Sequence, residues 1–262
     1  MAVLEKKEES FKSLKAFFTE VSSLTMFTGR FFKESVQPPF EFKELMRQAY
    51  LVGNKSFYLV AITGFIMGLV LTIQSAPTLA QFGAESWLPA MVGISIIREI
   101  GPVITALICA GKVGSGIGAE LASMKVTEQI DAMEVSGTNP FKYLVVTRVV
   151  ATTIMIPILV IFADVIALGG AYVGVNISGD VSFTLFFSQV INAIEFSDIF
   201  PAIIKTFFFG FIIGLVACYK GYNSNKGTEG VGAAANSAVV LASLLVFVID
   251  MIAVQFTNLL VY

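Results

Sequence analysis

The chain has 262 residues, a formal net charge of −2 and no histidine; 56% of its residues are hydrophobic and only 14% are charged. Soluble domains contain about 25% charged residues, so this chain has too few polar side chains to cover a soluble fold of its size. The small net charge gives no indication of a nucleic-acid partner, and the lack of histidine removes the commonest general base and metal ligand.

The first predicted element is an amphipathic helix over residues 5–35. An aromatic face opposite lysines and arginines is typical of a helix that lies in the membrane interface, although a soluble helix packed on a partner is an alternative. Pro38 and Pro39 end this helix, and a short polar stretch follows to Lys55. We assign residues 1–55 to an N-terminal interfacial region. The apolar face consists of Phe11, Leu14, Phe17, Phe18, Val21, Leu24 and Phe31.

Five later segments are long and apolar enough to cross a membrane, which takes about 20 mostly apolar residues. The sequence therefore predicts an all-α membrane protein with a five-span domain over residues 56–262. The third segment exceeds one straight span, so we expect it to tilt or to extend past the membrane. The first is the shortest and contains Gly64 and Gly68, which leaves open whether it crosses fully. The segments cover residues 57–73, 87–110, 143–175, 199–219 and 233–260.

Basic residues predict the orientation of these spans. Of the 17 lysines and arginines, nine lie in residues 1–55, four flank the connection between spans two and three, and two lie between spans four and five. A cytoplasmic N-terminus puts these 15 on the cytoplasmic side, as the positive-inside rule requires, and leaves Tyr262 outside. The outer segment 176–198 is either a short surface helix or a plain loop. Arg98 and Lys205 fall within spans.

Four ionisable residues lie well inside the predicted spans: Arg98, Glu99, Lys205 and Asp250. Each costs about 2.5–3.5 kcal/mol at the bilayer centre, and the two basic and two acidic side chains could neutralise one another. They either line a polar pocket for a charged headgroup or ion, or form structural ion pairs. Lys205 is also close enough to a span end to snorkel. Asp164 in span three has no obvious partner in the sequence.

The connection between spans two and three begins with four closely spaced glycines and contains no phosphate-binding loop. Residues 126–136 then resemble a short exposed amphipathic helix. Glu128, Asp131 and Glu134 recur every three residues, while Ile130 and Met133 could face the other side. An acidic helix on the cytoplasmic side suits docking against a soluble partner. A solvated loop helix is the alternative.

Two runs in this region, IREIGPVITALICAGKVGSGIGAE and GAELASMKVTEQIDAMEVSGTNPFKYLVVTR, resemble the MlaE-type (YrbE-like) permeases. These are the membrane subunits of ABC transporters that move phospholipids between membranes, and the resemblance extends over nearly the whole chain. It implies a homodimer in the bacterial inner membrane, a separate cytoplasmic ATPase subunit, and an MCE-type lipid-binding protein on the outer side. The chain itself would then be no enzyme and hold no cofactor, because ATP and Mg would bind to the ATPase.

The resemblance also implies roles for particular residues. It identifies a coupling helix within residues 113–140 that docks on the ATPase. The ATPase-coupling residues would be Glu128, Gln129, Asp131, Met133 and Glu134. The four intramembrane charges, Arg98, Glu99, Lys205 and Asp250, would contact the phospholipid headgroup or gate its passage.

Two other classes of function stay open at this point. An ion-coupled secondary transporter or channel would use the same intramembrane charges, although no internal repeat is evident and the spans number five. A structural scaffold would use them only for stability. The direction of transport and the lipid preference are not written in the sequence.

Overall fold

The computed structural model describes residues 2–224 and 227–261, which form eight continuous helical segments and no strand. Lys226 and Tyr262, which entered the orientation prediction, lie outside the described residues, as do the side chains of Phe11, Leu14 and Phe17. The segments are α1 (Ala2–Val36), α2 (Phe42–Gln81), α3 (Glu85–Val126), α4 (Gln129–Val135), α5 (Phe141–Ile177), α6 (Phe183–Ala193), α7 (Phe196–Tyr222) and α8 (Thr228–Val261).

Five of these helices, α2, α3, α5, α7 and α8, are long and apolar enough to cross a membrane, which confirms the predicted number of spans. The first of them is much longer than its apolar segment. Helix α2 has 40 residues, so it extends about 60 Å, against about 30 Å for the hydrocarbon core. The polar residues up to Lys55 are therefore the first turns of α2 rather than a separate connection.

Helices α2 and α5 touch backbone to backbone. A Cβ atom added to Gly68 would lie 1.9 Å from the carbonyl oxygen of Ala167, and one added to Gly170 would lie 2.1 Å from that of Phe65. Small residues allow this approach, which is how helices gain packing energy where lipid is as apolar as their side chains. Helix α7 approaches α5 in a similar way at Gly210, where an added Cβ atom would lie 2.6 Å from the Thr152 carbonyl oxygen. These contacts hold three of the spans in one bundle.

Helix α3 is continuous but contains two π-helical turns, Ile96–Ile100 and Ala110–Gly114. In the first, the Gly101 N–H donates to the Ile96 carbonyl, five residues back. Pro102 follows and has no N–H to donate to the carbonyl of residue 98, which favours the wider turn. A π turn rotates the residues on either side of it relative to a regular helix, and such turns are frequent at functional sites.

Helix α1 packs across one end of the bundle, called the α1 end here. Phe27 is buried there, with ring centroids 5.0 Å from Phe141 and 5.5 Å from Tyr219. Phe31 is buried as well, so it contacts protein rather than the membrane interface. Phe18 stays exposed. One part of the predicted apolar face of α1 is therefore a packing surface of the bundle.

The opposite end, called the α6 end, is closed by α6. Ser182 caps this helix by accepting a hydrogen bond from the Leu185 N–H, and Phe186 and Val190 are buried against the neighbouring spans. The segment 176–198 therefore contains a packed helix and not a plain loop.

Candidate functional site

A charged cavity of about 180 Å³ opens between α3, α7 and α8, toward the α6 end of the bundle. The first π turn of α3 supplies two of its charged side chains, and the first turns of α7 supply two more. The charged and polar lining consists of Arg98, Glu99, Ser197, Asp198, Lys205, Thr257 and Asn258. Asp250 lies beside it through its contact with Lys205.

Lys205 is the centre of a buried three-charge network. Its side chain is only 5% exposed, and its Nζ donates to Glu99 Oε2 at 2.7 Å and to Asp250 Oδ1 at 2.9 Å. A buried ammonium is tolerated when hydrogen-bonded carboxylates compensate its lost hydration. Glu99 is 44% exposed, so one carboxylate of the network faces open space. The predicted association of these three residues is present in the structure.

Arg98 pairs with Asp198, a carboxylate outside the four intramembrane charges that the sequence singled out. Its Nε donates to Asp198 Oδ1 at 2.6 Å, so the four predicted charges do not form one neutral set. Asp198 lies in the first turn of α7 and also accepts from the Glu195 N–H at 2.9 Å, which caps that helix. Asp198 is the last residue of the segment 176–198 that the sequence assigns to the outer connection. The Glu195 and Asp198 spacing of a capping box was the signal that could have located it.

An apolar groove of about 550 Å³ runs directly beside the charged cavity, between α7 and α8. The two volumes share Pro201, Lys205, Ala253 and Thr257 in their linings. The rest of the groove is apolar: Phe200, Ile204, Phe208, Ile249, Ile252 and Phe256. A charged space next to an apolar channel matches the chemistry of an amphipathic molecule.

Asp164 is not among the residues that line this cavity. Its Oδ1 is buried and has no hydrogen-bond partner among the described residues. The atom fits against α3 only because residue 101 is glycine, since a Cβ atom on Gly101 would lie 1.7 Å from it. No group of three or more Cys, Asp or Glu side chains in the described ranges is placed to hold a metal ion.

Helix α4, in the connection between α3 and α5, has the predicted two-sided character. Ile130 is buried in the core and Met133 packs against it, whereas Glu134 is exposed. Lys125 Nζ donates to Asp131 Oδ1 at 2.9 Å, and this pair ties α4 to the end of α3. Glu128 precedes the helix with a left-handed φ of 60°. The exposed side of α4 is therefore acidic, as the spacing indicated.

The residues after α4 are attached to α1. Asn139 Nδ2 donates to Glu34 Oε2 at 2.9 Å, and Lys142 Nζ donates to the Gln37 carbonyl. The Arg30 guanidinium lies 4.2 Å from the centre of the Phe141 ring. Because of these contacts, a movement of α4 would displace α1 as well as the spans.

Comparison with known proteins gives consistent results. Residues 45–256 match the family described as Permease MlaE. A probable ABC transporter permease protein of Rickettsia felis is 39% identical over 232 residues, which cover 88% of this chain and 90% of the relative. The intermembrane phospholipid transport system permease protein MlaE of Haemophilus influenzae is 35% identical over 213 residues, which cover 80% and 81%. A Synechocystis probable ABC transporter permease protein is 34% identical over 236 residues, 90% of each chain.

Proposed function

Because this multi-pass chain belongs to the MlaE permease family of ABC transporter permeases, we propose that it moves phospholipid between a bacterial inner membrane and an outer lipid-binding partner. In this proposal two copies of the chain form the permease, and a separate cytoplasmic ATPase supplies ATP, Mg and the energy. An MCE-type protein exchanges lipid on the outer side. The N-terminus is cytoplasmic and the C-terminus periplasmic.

The observation that carries the proposal is the contact between the charged cavity and the apolar groove. Arg98 and Lys205 are cations suited to a lipid phosphate, and Glu99 offers a carboxylate to an amine-bearing headgroup. The adjoining groove is lined by six large apolar side chains from α7 and α8, which suit an acyl chain. A soluble ion would need only the first of these two environments.

Energy would reach the cavity through α3. The last turn of α3 lies beside α4, and the ion pair between Lys125 and Asp131 connects the two helices. Arg98 and Glu99 lie on the same helix α3, about 40 Å from this ion pair. When the ATPase closes on ATP, α4 would shift and α3 would move with it. The π turn at Ile96–Ile100 is the place in α3 where a change of helical pitch alters the cavity.

The test is to block the shared lining while leaving the charges in place. Ala253 borders both volumes, so Ala253→Trp fills their junction. We expect ATP-dependent lipid transfer in proteoliposomes of the whole complex to fall about tenfold or more, with ATP hydrolysis still present. Val240→Trp, at a position on α8 that is 61% exposed and outside both linings, is the matched control. Normal transfer by Ala253→Trp would refute the proposal.

The same assay distinguishes ATP-driven transport from ion-coupled transport. An ion-coupled transporter would move its substrate with an ion gradient and without the ATPase. We expect no lipid transfer when the ATPase subunit is omitted, whatever gradient is imposed. Transfer by the permease alone would favour the ion-coupled alternative.

A further inference from the structure

A second polar groove, called the lysine groove here, lies between α2 and α3 near the α1 end, remote from the charged cavity. Its volume is about 300 Å³. The polar and small residues that border it are Gln48, Lys55, Ser56, Lys112, Gly116 and Glu120. None of them belongs to the lining of the charged cavity or of the apolar groove.

The two lysines mark the depth of this groove in the membrane. Lys55 lies two residues before the apolar segment 57–73 of α2, and Lys112 lies two residues after the apolar segment 87–110 of α3. The two helices run in opposite directions, so both side chains reach the same edge of the hydrocarbon layer. That edge is where lipid phosphates lie and where lysines attract them.

Both ammonium groups are available at this edge. Lys55 and Lys112 are exposed, and neither takes part in an ion pair between described residues. The carboxylates nearby have cationic partners of their own. Glu120 accepts from Arg148 Nη2 at 2.9 Å, and Glu44 accepts from Arg47 Nη1 at 3.2 Å. The groove therefore presents positive charge.

A buried hydroxyl supplies an independent indication of a ligand. Ser56 is fully buried, and its Oγ has no hydrogen-bond partner among the described residues. Buried side-chain hydroxyls almost always have a partner, and one without a partner calls for a missing group. Ser56 borders the groove beside Lys55, so a rotation of its side chain would let the hydroxyl donate to an anionic oxygen there.

We propose that the lysine groove binds the phosphate of an anionic phospholipid from the leaflet at the α1 end. Lys55 and Lys112 contact the phosphate oxygens, and Ser56 donates to one of them. The neighbouring lining is apolar and suits the start of an acyl chain: Leu51, Val52, Val113 and Ile117. Because the headgroup touches both helices, it joins α2 to α3 across the groove. This site is separate from the proposed transport cavity and does not depend on it.

Retention of lipid by the purified complex tests the site. Native mass spectrometry would follow binding of phosphatidylglycerol, phosphatidylcholine or inorganic phosphate to the intact complex. We expect preferential retention of phosphatidylglycerol, which Lys55→Gln combined with Lys112→Gln reduces about tenfold or more, because each lost charge-assisted hydrogen bond weakens binding about tenfold. Lys43→Gln, an exposed lysine on the same helix outside the groove, should leave retention unchanged.

A steric variant separates a built site from general surface charge. A Cβ atom on Gly116 meets nothing within 4 Å, so Gly116→Leu fills the groove while both lysines remain. It should remove the same bound lipid, with thermal unfolding showing that the bundle is intact. Ala253→Trp, which blocks the transport cavity, should retain it.

The proposal would be overturned by equal retention of phosphatidylcholine or by unchanged retention in the double lysine variant. An equal loss in Lys43→Gln, or a loss in Ala253→Trp that matches the double variant, would also overturn it. If inorganic phosphate occupies the groove in place of lipid, the lipid assignment fails. Because Ala253→Trp tests the transport cavity separately, failure of this site leaves the proposed function standing, and the reverse also holds.

Discussion

Lys205 shows how a single residue balances the carboxylates beside the charged cavity. Its ammonium bridges carboxylates from two other helices, so three spans meet at one side chain. The ion pair is buried on the lysine side and open on the Glu99 side. A ligand phosphate that approaches Lys205 would compete with Glu99, and the exchange of partners is a direct way to couple headgroup binding to helix movement.

Removing the Lys205 charge should separate its contribution to stability from its contribution to lipid transfer. Lys205→Met leaves Asp250 and Glu99 uncompensated, so we expect a loss of about 3 kcal/mol in the free energy of unfolding. The neutral triple variant Lys205→Met, Glu99→Gln and Asp250→Asn should recover most of that stability. Thermal unfolding and lipid transfer would be measured on both. A purely structural role predicts that the triple variant also transports normally, which would contradict the cavity assignment.

Gly101 tests the close fit between α3 and Asp164. In Gly101→Ala the new Cβ atom would lie 1.7 Å from Asp164 Oδ1 and 3.0 Å from the Ile96 carbonyl oxygen, so the buried carboxyl must move and we expect a loss of about 1–3 kcal/mol. Gly111→Ala lies in the same helix with nothing within 4 Å of its Cβ, and it should be neutral or stabilising. Thermal unfolding in detergent compares the two. Equal stability of both variants would show that the α3 and α5 contact is looser than described.

At the scale of elements, α4 connects two spans and lies next to α1. Its apolar side is held in the core by Ile130, its acidic side is exposed, and its flanking residues contact α1. A short helix anchored on one face and open on the other is suited to transmit a push from a partner. In the proposed function, the Lys125 and Asp131 pair would make α3 the first span to receive that push.

Charge reversal on α4 should uncouple the two activities of the complex. Replacement of Glu128 and Asp131 by lysine puts positive charge on the face that would meet the ATPase, so we expect a loss of lipid transfer without a matching loss of ATP hydrolysis. Lys125→Met breaks the same ion pair but keeps the acidic face, so comparison of the two variants separates the tie between α4 and α3 from the charge of that face. Unchanged hydrolysis and unchanged transfer in the reconstituted complex would rule out the coupling role.

Features that depend on local sequence could be predicted, and features that depend on contacts between distant residues could not. The spans follow from local apolar length, and the exposed acidic side of α4 follows from local spacing, so both were predictable. The pairing of Arg98 with Asp198 joins residues 100 positions apart, and no local pattern specifies it. The π turn at Ile96–Ile100 rotates Arg98 and Glu99 away from the directions that a regular helical wheel gives them. The buried Ser56 hydroxyl is likewise visible only once α2 meets α3.

At the scale of the whole molecule, the orientation of the bundle in the membrane can be measured with introduced cysteines. Charge distribution predicts that the α1 end faces the cytoplasm. Both native cysteines, Cys109 and Cys218, are fully buried, so a membrane-impermeant maleimide should not label them. Asp180→Cys, exposed near α6, should react in intact spheroplasts. Ser136→Cys, exposed beside α4, should react only after lysis, and the opposite pattern would invert the topology.

The backbone contact between α2 and α5 has a mechanical consequence. Two helices whose carbonyl oxygens meet at glycine positions have no flexible side chains between them to absorb sliding, so they form a stiff frame. Helix α8 meets α3 less closely, because a Cβ atom added to Gly118 of α3 would lie 3.3 Å from the Ala238 Cβ and 3.4 Å from the Ala234 carbonyl oxygen. Any cycle that opens and closes the cavity would therefore keep α2 and α5 as a fixed frame and move α8, which carries Ala253 and Thr257 of the cavity lining.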